Sequence, residues 1–397
     1  MSEWKSYTLG DLVEKITKGT TPSTLGGGFV ESGINFIKSE AVGYDGRIDK
    51  STFVYINEET HEKLKRSQLQ QDDILFSMAG IFLGKNAIVR EDFLPANTNQ
   101  ALAIIRLKKD KTTAKFVHYF LRQADVIKKI NSMSGQSAQP NINFEEIKSI
   151  EINLPDLNTQ TEIVSILSSL DDKIELNLQM NQTLETMAQT IFKEWFVNFN
   201  FPGFDGELVD GLPKGWRVGK LRDVLELVYG KALKADTRAK GNFPVIGSSG
   251  IVGYHNEYLV NAPGIVIGRK GTIGEVIWIN ENFFPIDTTF YVNDLLGVGG
   301  LYFHYFLLKG QEFKKIASDS AVPGLNRHQA MNNVVTIPDV NLLKVFNSVI
   351  QSIFKKKEVN TNQNKSLIQI RDSLLPKLMT GKIEVKGKVV EFDHFKN

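Results

Sequence analysis

The stretch at residues 154–201, LPDLNTQTEIVSILSSLDDKIELNLQMNQTLETMAQTIFKEWFVNFNF, predicts one long helix. Its apolar residues alternate steps of four and three, a spacing typical of a coiled-coil seam. Two asparagines, Asn177 and Asn181, fill a gap in the seam at mid-length. The apolar seam residues are Ile163, Leu167, Leu170, Ile174, Leu184, Ala188, Ile191 and Trp195.

A second copy of this stretch occupies residues 337–383 at a constant offset. Its seam contains Phe346, Ile350, Ile353, Leu367, Leu374 and Leu378, and its polar gap holds Asn360 and Asn364. If the two helices pair antiparallel, their midpoints meet and the four asparagines hydrogen-bond across the seam, which fixes its register. The alternative is that each helix packs on its own domain with its asparagines facing water. We expect the antiparallel pair, because it requires matched midpoints.

The regions before the two helices also repeat. Trp4, Leu9, Asp11, Leu12, Glu14 and Ile16 return in the same order as Trp216, Leu221, Asp223, Val224, Glu226 and Val228. Residues 73–87 match 264–276, residues 95–98 match 285–288, and Asn141 matches Asn326. His118 and His304 match inside apolar helices, where a packed core histidine is expected. The first set recurs at a fixed offset of 212 residues and the other matches follow in the same order, which indicates a duplicated unit.

These repeats predict an α+β protein with two similar domains separated by two long helices that form an antiparallel intramolecular coiled coil. The predicted order is a first domain (1–153), a long helix (154–200), a linker rich in Pro and Gly (201–215), a second domain (216–337), a second long helix (338–383) and a charged tail (384–397).

Composition limits the class of protein. The chain has 397 residues, enough for two or three domains, and 42% hydrophobic residues, which permits real cores. It has no apolar run long enough for a membrane helix and no signal-peptide core in MSEWKSYTLGDL. With no cysteine, we expect an unexported cytoplasmic protein without disulfides. A net charge of +2 requires any nucleic-acid surface to be local or shared with a partner.

Motifs for catalysis are missing from the sequence. It has no phosphate-binding Gly-Lys-Ser/Thr loop, no Asn/Asp-Pro-Pro-aromatic tetrapeptide of base methyltransferases, and no histidine pair at metal-ligand spacing. We therefore expect a binding protein that has no metal site.

Predicted loops instead carry residue types that bind DNA. Lysine and arginine neutralise phosphates, and Arg, Asn and Gln form paired hydrogen bonds with base edges. Arg269 and Lys270 lie on a turn between strands, where domain one has Met78 and Ala79. For any single candidate, the alternative is a turn residue that satisfies its own backbone. The candidates are Lys18, Thr20, Thr21, Lys38, Lys85, Asn97, Asn99, Gln100, Gln136, Gln139, Asn141, Lys231, Lys234, Arg238, Ser248, Ser249, Arg269, Lys270, Thr272, Asp287, Thr288, Asn326 and Arg327.

The chain resembles the specificity subunit of type I restriction-modification systems. The resemblance rests on the architecture and on three passages, LPDLNTQTEIV (154–164), IFKEWFVNF (191–199) and LLPKLMTGKI (374–383). The resemblance implies two target-recognition domains, each reading one half of a split double-stranded DNA sequence, with the coiled coil setting the unread gap. It implies assembly with two methyltransferase subunits and two restriction/motor subunits. It also implies that S-adenosylmethionine, ATP and Mg are used by those partners and not by this chain.

Two other interpretations stay open at this level. One is a non-enzymatic scaffold whose twin domains bind other proteins. The other is a specificity subunit that works without a motor partner. The sequence does not separate them.

Overall fold

The computed structural model describes residues 4–80, 83–133, 140–318 and 324–385. The chain forms two compact units, Met1–Ile174 with Lys365–Asn397, and Glu175–Asn364. Each unit contains one mixed α/β domain and part of each of two long helices. Within the described residues, no helix is both long and apolar enough to cross a bilayer.

The domain of the first unit is built on a four-stranded sheet, a three-stranded sheet and a separate pair of strands. Its strands are β1 (Lys5–Thr8), β2 (Val13–Lys18), β3 (Ile34–Ile37), β4 (Val54–Ile56), β5 (Ile74–Ser77), β6 (Asn86–Ile88), β7 (Ala96–Thr98), β8 (Leu102–Leu107) and β9 (Glu151–Leu154). Its helices are α1 (Leu9–Leu12), α2 (Glu58–Lys63), α3 (Ala114–Leu121), α4 (Ala124–Met133) and α5 (Phe144–Lys148). The strand orders are β2-β8-β5-β6 and β4-β3-β7, and β1 pairs with β9.

The central strands of the four-stranded sheet are buried on both faces. Successive side chains of a strand point to opposite faces. Ile74 and Phe76 accordingly join a core cluster that includes α3, while Leu75 joins a second cluster with Ala87 and Ile104. This explains why β5 and β8 read as nearly continuous apolar runs.

The second unit repeats this design. The long helix α6 (Leu157–Phe196) leads into it, and its strands are β10 (Leu208–Val209), β11 (Leu212–Pro213), β12 (Arg217–Lys220), β13 (Leu225–Tyr229), β14 (Phe243–Gly247), β15 (Gly250–His255), β16 (Gly264–Gly268), β17 (Val276–Ile279), β18 (Phe284–Pro285), β19 (Thr289–Asp294) and β20 (Val334–Ile337). Its helices are α7 (Tyr302–Lys309), α8 (Phe313–Ser318) and α9 (Arg327–Met331), followed by the long helix α10 (Val340–Leu378). The sheet orders β13-β19-β16-β17 and β15-β14-β18, with β12 paired to β20, match those of the first unit strand for strand. The predicted α+β duplication is confirmed.

The two long helices have 40 and 39 residues. Each begins after an aspartate that accepts hydrogen bonds from the first turn: Asp156 from the Thr159 amide over 3.0 Å and Asp339 from the Asn341 amide over 2.9 Å. These caps lie at the matching positions of the sequence repeat, so the same local signal starts both helices.

The helices run antiparallel, as predicted. In the first unit Asp171 of α6 pairs with Arg371 of α10 over 2.7 Å. In the second unit the ring centroids of Phe196 and Phe346 lie 4.9 Å apart. Higher numbers on α6 therefore meet lower numbers on α10.

The polar gap of the seam lies within the second unit. The Asn177 side-chain amide donates to Asn364 Oδ1 over 2.8 Å, and the Asn360 amide donates to Asn181 Oδ1 over 2.9 Å. Asn177 and Asn360 are buried, so the alternative in which the asparagines face water is wrong.

Ion pairs fasten each domain to the helices of its own unit. Asp171 also accepts hydrogen bonds from the Tyr119 hydroxyl over 2.9 Å and from Arg122 over 3.0 Å. In the second unit Glu185 accepts from the Tyr305 hydroxyl over 3.0 Å and from Lys309 over 2.9 Å.

The repeated histidines are core residues, as expected. The His118 Nδ1 lies 2.8 Å from Asn86 Oδ1, and burial together with the charge of Arg122 lowers the pKa of His118 to about 3. His304 is fully buried, with Nε2 3.1 Å from Asp294 Oδ1.

Candidate nucleic-acid interface

Backbone hydrogen bonds gather several loops of the second unit at one place. The amides of Arg269 and Lys270 donate to the Thr288 carbonyl over 2.8 and 3.1 Å, and the Leu325 amide donates to the Arg269 carbonyl over 2.9 Å. The Lys231 amide donates to the Pro285 carbonyl over 3.0 Å. We call residues 230–231, 248–249, 268–272, 285–288 and 324–327 the second loop cluster.

A glycine allows the close approach of two of these loops. Gly271 has a φ of 78°, in the left-handed region, and a side chain there would meet the Ser248 hydroxyl. Gly271 therefore lets the β16–β17 turn pack on Ser248.

The side chain of Arg269 is held in a fixed orientation. Its Nη1 donates to the Asp287 carbonyl over 3.0 Å, and its guanidinium carbon lies 5.0 Å from the centroid of the Tyr229 ring. Lys270, Thr272 and Asp287 are exposed beside it. The turn thus presents an oriented guanidinium next to exposed donors and acceptors.

The first unit builds the same arrangement of loops. The Met78 amide donates to the Ala101 carbonyl and the Ile142 amide donates to the Met78 carbonyl, each over 3.0 Å. The Gly19 amide donates to the Leu102 carbonyl over 3.2 Å. We call residues 18–21, 77–80, 83–85, 98–101 and 140–143 the first loop cluster. Met78 occupies the position of Arg269, as the sequence comparison predicted.

The structure corrects two of the residue correspondences that the sequence repeat predicted between the domains. Ile142 and Leu325 make the equivalent backbone bond, so the counterpart of Asn326 is Asn143 and not Asn141. Both Asn143 and Asn326 accept hydrogen bonds from the first turn of the following short helix. Thr98, rather than Pro95, is the counterpart of Pro285, because the carbonyls of Thr98 and Pro285 accept equivalent bonds from Thr20 and Lys231.

The assignment of Asn97 to a DNA-binding surface is wrong. Asn97 is 0% exposed. Its side-chain amide donates to the Leu64 carbonyl over 3.2 Å and to the Ser67 hydroxyl over 3.0 Å. Asn97 thus joins β7 to the loop after α2, and no surface of it is left for a ligand.

Two arginines among the candidates also bind their own domain. Arg238 donates to the Val252 carbonyl over 2.6 Å. Arg327 donates to the Leu227 carbonyl and, over 3.1 Å, to Glu226. Both are half-buried, and both fasten a loop to a neighbouring strand.

In the first loop cluster, Thr20 and Thr21 are engaged by side chains. The Thr20 hydroxyl accepts from Arg66 over 3.0 Å, and the Thr21 hydroxyl donates to the Gln100 side chain. Arg66 therefore contacts the first loop cluster, although it was not among the candidates predicted from sequence. An isolated arginine beside a short helix carries no local motif.

Two candidate lysines lie over aromatic rings. The Lys38 ammonium is 4.7 Å from the Phe29 ring centroid and that of Lys85 is 4.3 Å from the Tyr44 centroid. Burial lowers the pKa of Lys85, and the nearby charge of Asp45 partly opposes this.

The remaining candidates divide by exposure. Asn99, Ser248 and Thr288 are half-buried. The exposed ones are Lys18, Gln100, Asn141, Lys231, Lys234, Ser249 and Asn326. Gln136 and Gln139 lie outside the described residues.

A recess adjoins the second loop cluster. Its polar and aromatic lining residues are Arg222, Tyr229, Arg269, Asn326, Arg327 and His328, and the apolar Leu325 and Met331 complete the wall; we call it the arginine recess. Arg222 and His328 were not candidates from sequence. The sequence repeat did distinguish Arg222, because it aligns this arginine with the uncharged Gly10 of the first domain.

No cluster of acidic and histidine side chains suited to a metal ion occurs in the part of the chain that the structure describes.

Comparison with known proteins agrees with this architecture. The type I restriction enzyme HindI specificity subunit of Haemophilus influenzae is 24% identical over 478 aligned residues, covering 96% of this chain and 100% of the relative. The type I restriction enzyme MjaIX specificity subunit of Methanocaldococcus jannaschii is 28% identical over 326 residues, covering 74% of each chain. The crystal structure of the type I restriction-modification S subunit from M. genitalium superposes with a TM-score of 0.59 at 17% identity, covering 98% of this chain and 97% of that one, which supports a shared fold.

The family model for the type I restriction modification DNA specificity domain matches residues 1–186 and again 213–370. The two matches fall on the two halves of the duplication and together span most of the chain, which therefore belongs to the type I restriction-modification DNA specificity family.

Proposed function

We propose that this chain is the non-catalytic specificity subunit of a type I restriction-modification complex, in which each domain reads one half of a bipartite DNA target. The observation that carries the proposal is the loop cluster, which is built twice on the same backbone hydrogen bonds with different side chains at its tips. A shared scaffold with differing tips suits two readers of different sequences.

In this proposal the tip residues set the sequence preference. Arg269 has its guanidinium oriented by the Asp287 carbonyl and Tyr229, and an arginine so oriented suits the two acceptors of guanine in the major groove. Met78 at the same position of the first unit is buried in the hydrophobic core at 8% exposure, so the first domain has no counterpart of the Arg269 contact. The two half-sites therefore differ.

The helix pair is proposed to set the gap between the half-sites. Each long helix has about 40 residues and so spans roughly 60 Å at about 1.5 Å per residue. The asparagine hydrogen bonds and the Asp171–Arg371 pair oppose sliding of one helix along the other. A helix pair of fixed register gives a fixed spacing.

Catalysis in this proposal belongs to partners. Two methyltransferase subunits using S-adenosylmethionine and two restriction/motor subunits using ATP and Mg would assemble with this chain. Its small net charge of +2 fits that assembly, because partners closing around the duplex supply further phosphate contacts.

Exchange of a domain tests the proposal. Residues 1–150 are replaced by those of a relative with a different target, the chimera is expressed with its methyltransferase, and methylated sites are sequenced. We expect one half of the methylated sequence to change and the other half, with the gap, to be kept. The matched control exchanges residues 216–337 and should change the opposite half. A change in both halves from either exchange contradicts the modular assignment.

Co-purification separates this function from the scaffold alternative. The proposal requires that the chain retain a methyltransferase subunit and that the pair retain specific duplex DNA. A chain that binds neither, while its domains capture other proteins, is a scaffold.

A further inference from the structure

The arginine recess concentrates positive charge beyond what the base-reading turn alone supplies. Three guanidinium groups, those of Arg222, Arg269 and Arg327, line it together with His328. Tyr229 and Asn326 also line it. All six residues lie in the second unit.

The charges in the recess are partly held in place by the domain. Arg222 donates to the Asn332 side chain over 3.2 Å, and Arg327 pairs with Glu226 over 3.1 Å. Only one of the three guanidinium groups thus has a carboxylate partner there among the described contacts. A positioned group of arginines with surplus charge is suited to an anion with several oxygens.

The first unit carries no arginine at the positions equivalent to the three recess arginines, although Lys18 and Lys148 take the positions of Tyr229 and Met331. The backbone correspondence places Gly10 opposite Arg222, Met78 opposite Arg269 and Phe144 opposite Arg327. Glu145 takes the position of His328 and pairs with Lys148 over 2.9 Å. Because the scaffold is shared, the charge cannot be a requirement of the fold.

We infer that the arginine recess binds one phosphate of the DNA backbone next to the second half-site, with Arg222 and His328 as contacts that carry no sequence preference. This inference rests on the proposed function. The recess adjoins the turn of Arg269, so a phosphate held there would position the duplex for the base contact made by that turn. The second domain gains a sequence-independent anchor built from arginines that the first domain does not carry at the equivalent positions.

Salt dependence of DNA binding tests the inference. The methyltransferase complex is prepared with the wild-type chain, with Arg222→Gln and with Arg222→Lys, and its affinity for target and non-target duplexes is measured over a series of KCl concentrations. Loss of one phosphate contact should reduce the slope of log K against log salt by about 0.9 and weaken binding several-fold on both duplexes. Arg222→Lys should keep the slope. The sequence of methylated sites should be unchanged.

The matched control is Arg217→Gln, which removes an exposed arginine of the same domain that does not line the recess. It should leave the slope unchanged. A neutral methylphosphonate, scanned along the second half-site, should weaken wild-type binding at one position and have no further effect on Arg222→Gln at that position.

The outcomes separate the two levels of the hypothesis. If the wild-type complex binds specifically but Arg222→Gln has an unaltered slope, the phosphate assignment is wrong and the specificity function stands. If Arg222→Gln weakens binding only to the target duplex, the recess contacts a base instead. If the wild-type complex shows no preference for any duplex sequence, the proposed function and the inference fail together.

Discussion

Asn360 donates a hydrogen bond from its side-chain amide to Oδ1 of Asn181 over 2.9 Å, joining α10 to α6. Asn360 is 1% exposed, and the Asn181 amide in turn lies 3.3 Å from the Lys357 carbonyl. A buried amide is satisfied only when its partner lies opposite, so this pair favours one register of the two helices over its neighbours.

Asn181→Leu should destabilise the second unit by about 1–3 kcal/mol, because the Asn360 amide loses its acceptor in a buried place. Urea denaturation of the isolated chain measures this. The double change Asn181→Leu/Asn360→Leu should recover much of the loss, since no buried amide is then left. Gln182→Leu alters an exposed neighbour on the same helix and serves as the control. Equal effects at residues 181 and 182 would contradict the buried role.

A second prediction concerns the stability of the fold at low pH. Burial opposes ionisation of Asp171, but the charges of Arg122 and Arg371 and hydrogen bonds from Arg371 and Tyr119 outweigh it, so its pKa is lowered from 3.8. A carboxyl whose pKa is lower in the folded chain stabilises the fold above its unfolded pKa. That stabilisation is lost as the pH falls through the lower, folded value.

The free energy of unfolding should therefore fall as the pH drops below about 5, and Asp171→Asn should reduce this dependence. At pH 7 the substitution should cost about 2–4 kcal/mol, less than for a fully buried pair because Asp171 is 27% exposed. Denaturation at a series of pH values measures both effects. The exposed Asp172→Asn is the control and should leave the pH profile near that of the wild type.

Much of the fold follows from the sequence because its signals repeat. The apolar seam and the aspartate cap of a long helix are local patterns. The duplication repeats both of them, so that Asp156 caps α6 and Asp339 caps α10. The irregularity in β2 was harder to foresee. A shift in pairing between Val13 and Lys15 adds one residue, so Ile16 takes the position of Leu227 and not Val228. Such a bulge leaves no clear mark in composition.

The candidate site was predicted less well, for a different reason. Residue type identifies a loop that suits DNA, but burial depends on contacts between segments far apart in sequence. Asn97 is buried by Leu64 and Ser67, about 30 residues earlier. Arg66 was missed because it is a single cation that gains its place only through folding, whereas Arg222 was missed although the repeat aligns it with the uncharged Gly10.

The corrected role of Asn97 gives a third prediction. Asn97→Ala should destabilise the first unit by about 1–3 kcal/mol, since the buried Leu64 carbonyl and Ser67 hydroxyl lose a donor. The methylated sequence should stay the same. Gln100→Ala, at an exposed position just after β7, is expected to be near neutral for stability. A new target sequence with unchanged stability for Asn97→Ala would return Asn97 to the DNA-binding surface.

A fourth prediction concerns Arg269. If it contacts guanine, Arg269→Ala should weaken recognition by about 1–3 kcal/mol and relax one position of the second half-site only. Sequencing of methylated sites gives the position, and competition between duplexes gives the energy. Lys240→Ala, an exposed change in the same domain, is the control. Relaxation in the first half-site, or in none, would remove Arg269 from the reading surface.

The last prediction tests the helix pair as a spacer. One heptad is inserted after Ile174 in α6 and one after Leu367 in α10, at the matching level indicated by the Asp171–Arg371 pair. Seven residues keep the seam in phase and add about 10 Å of helix. With about 3.4 Å per base pair along the duplex, the gap in the methylated sequence should lengthen by about three base pairs while both half-sites are kept. A heptad in α6 alone should instead break the pairing and lower stability. An unchanged gap after the double insertion would show that something other than helix length sets the spacing.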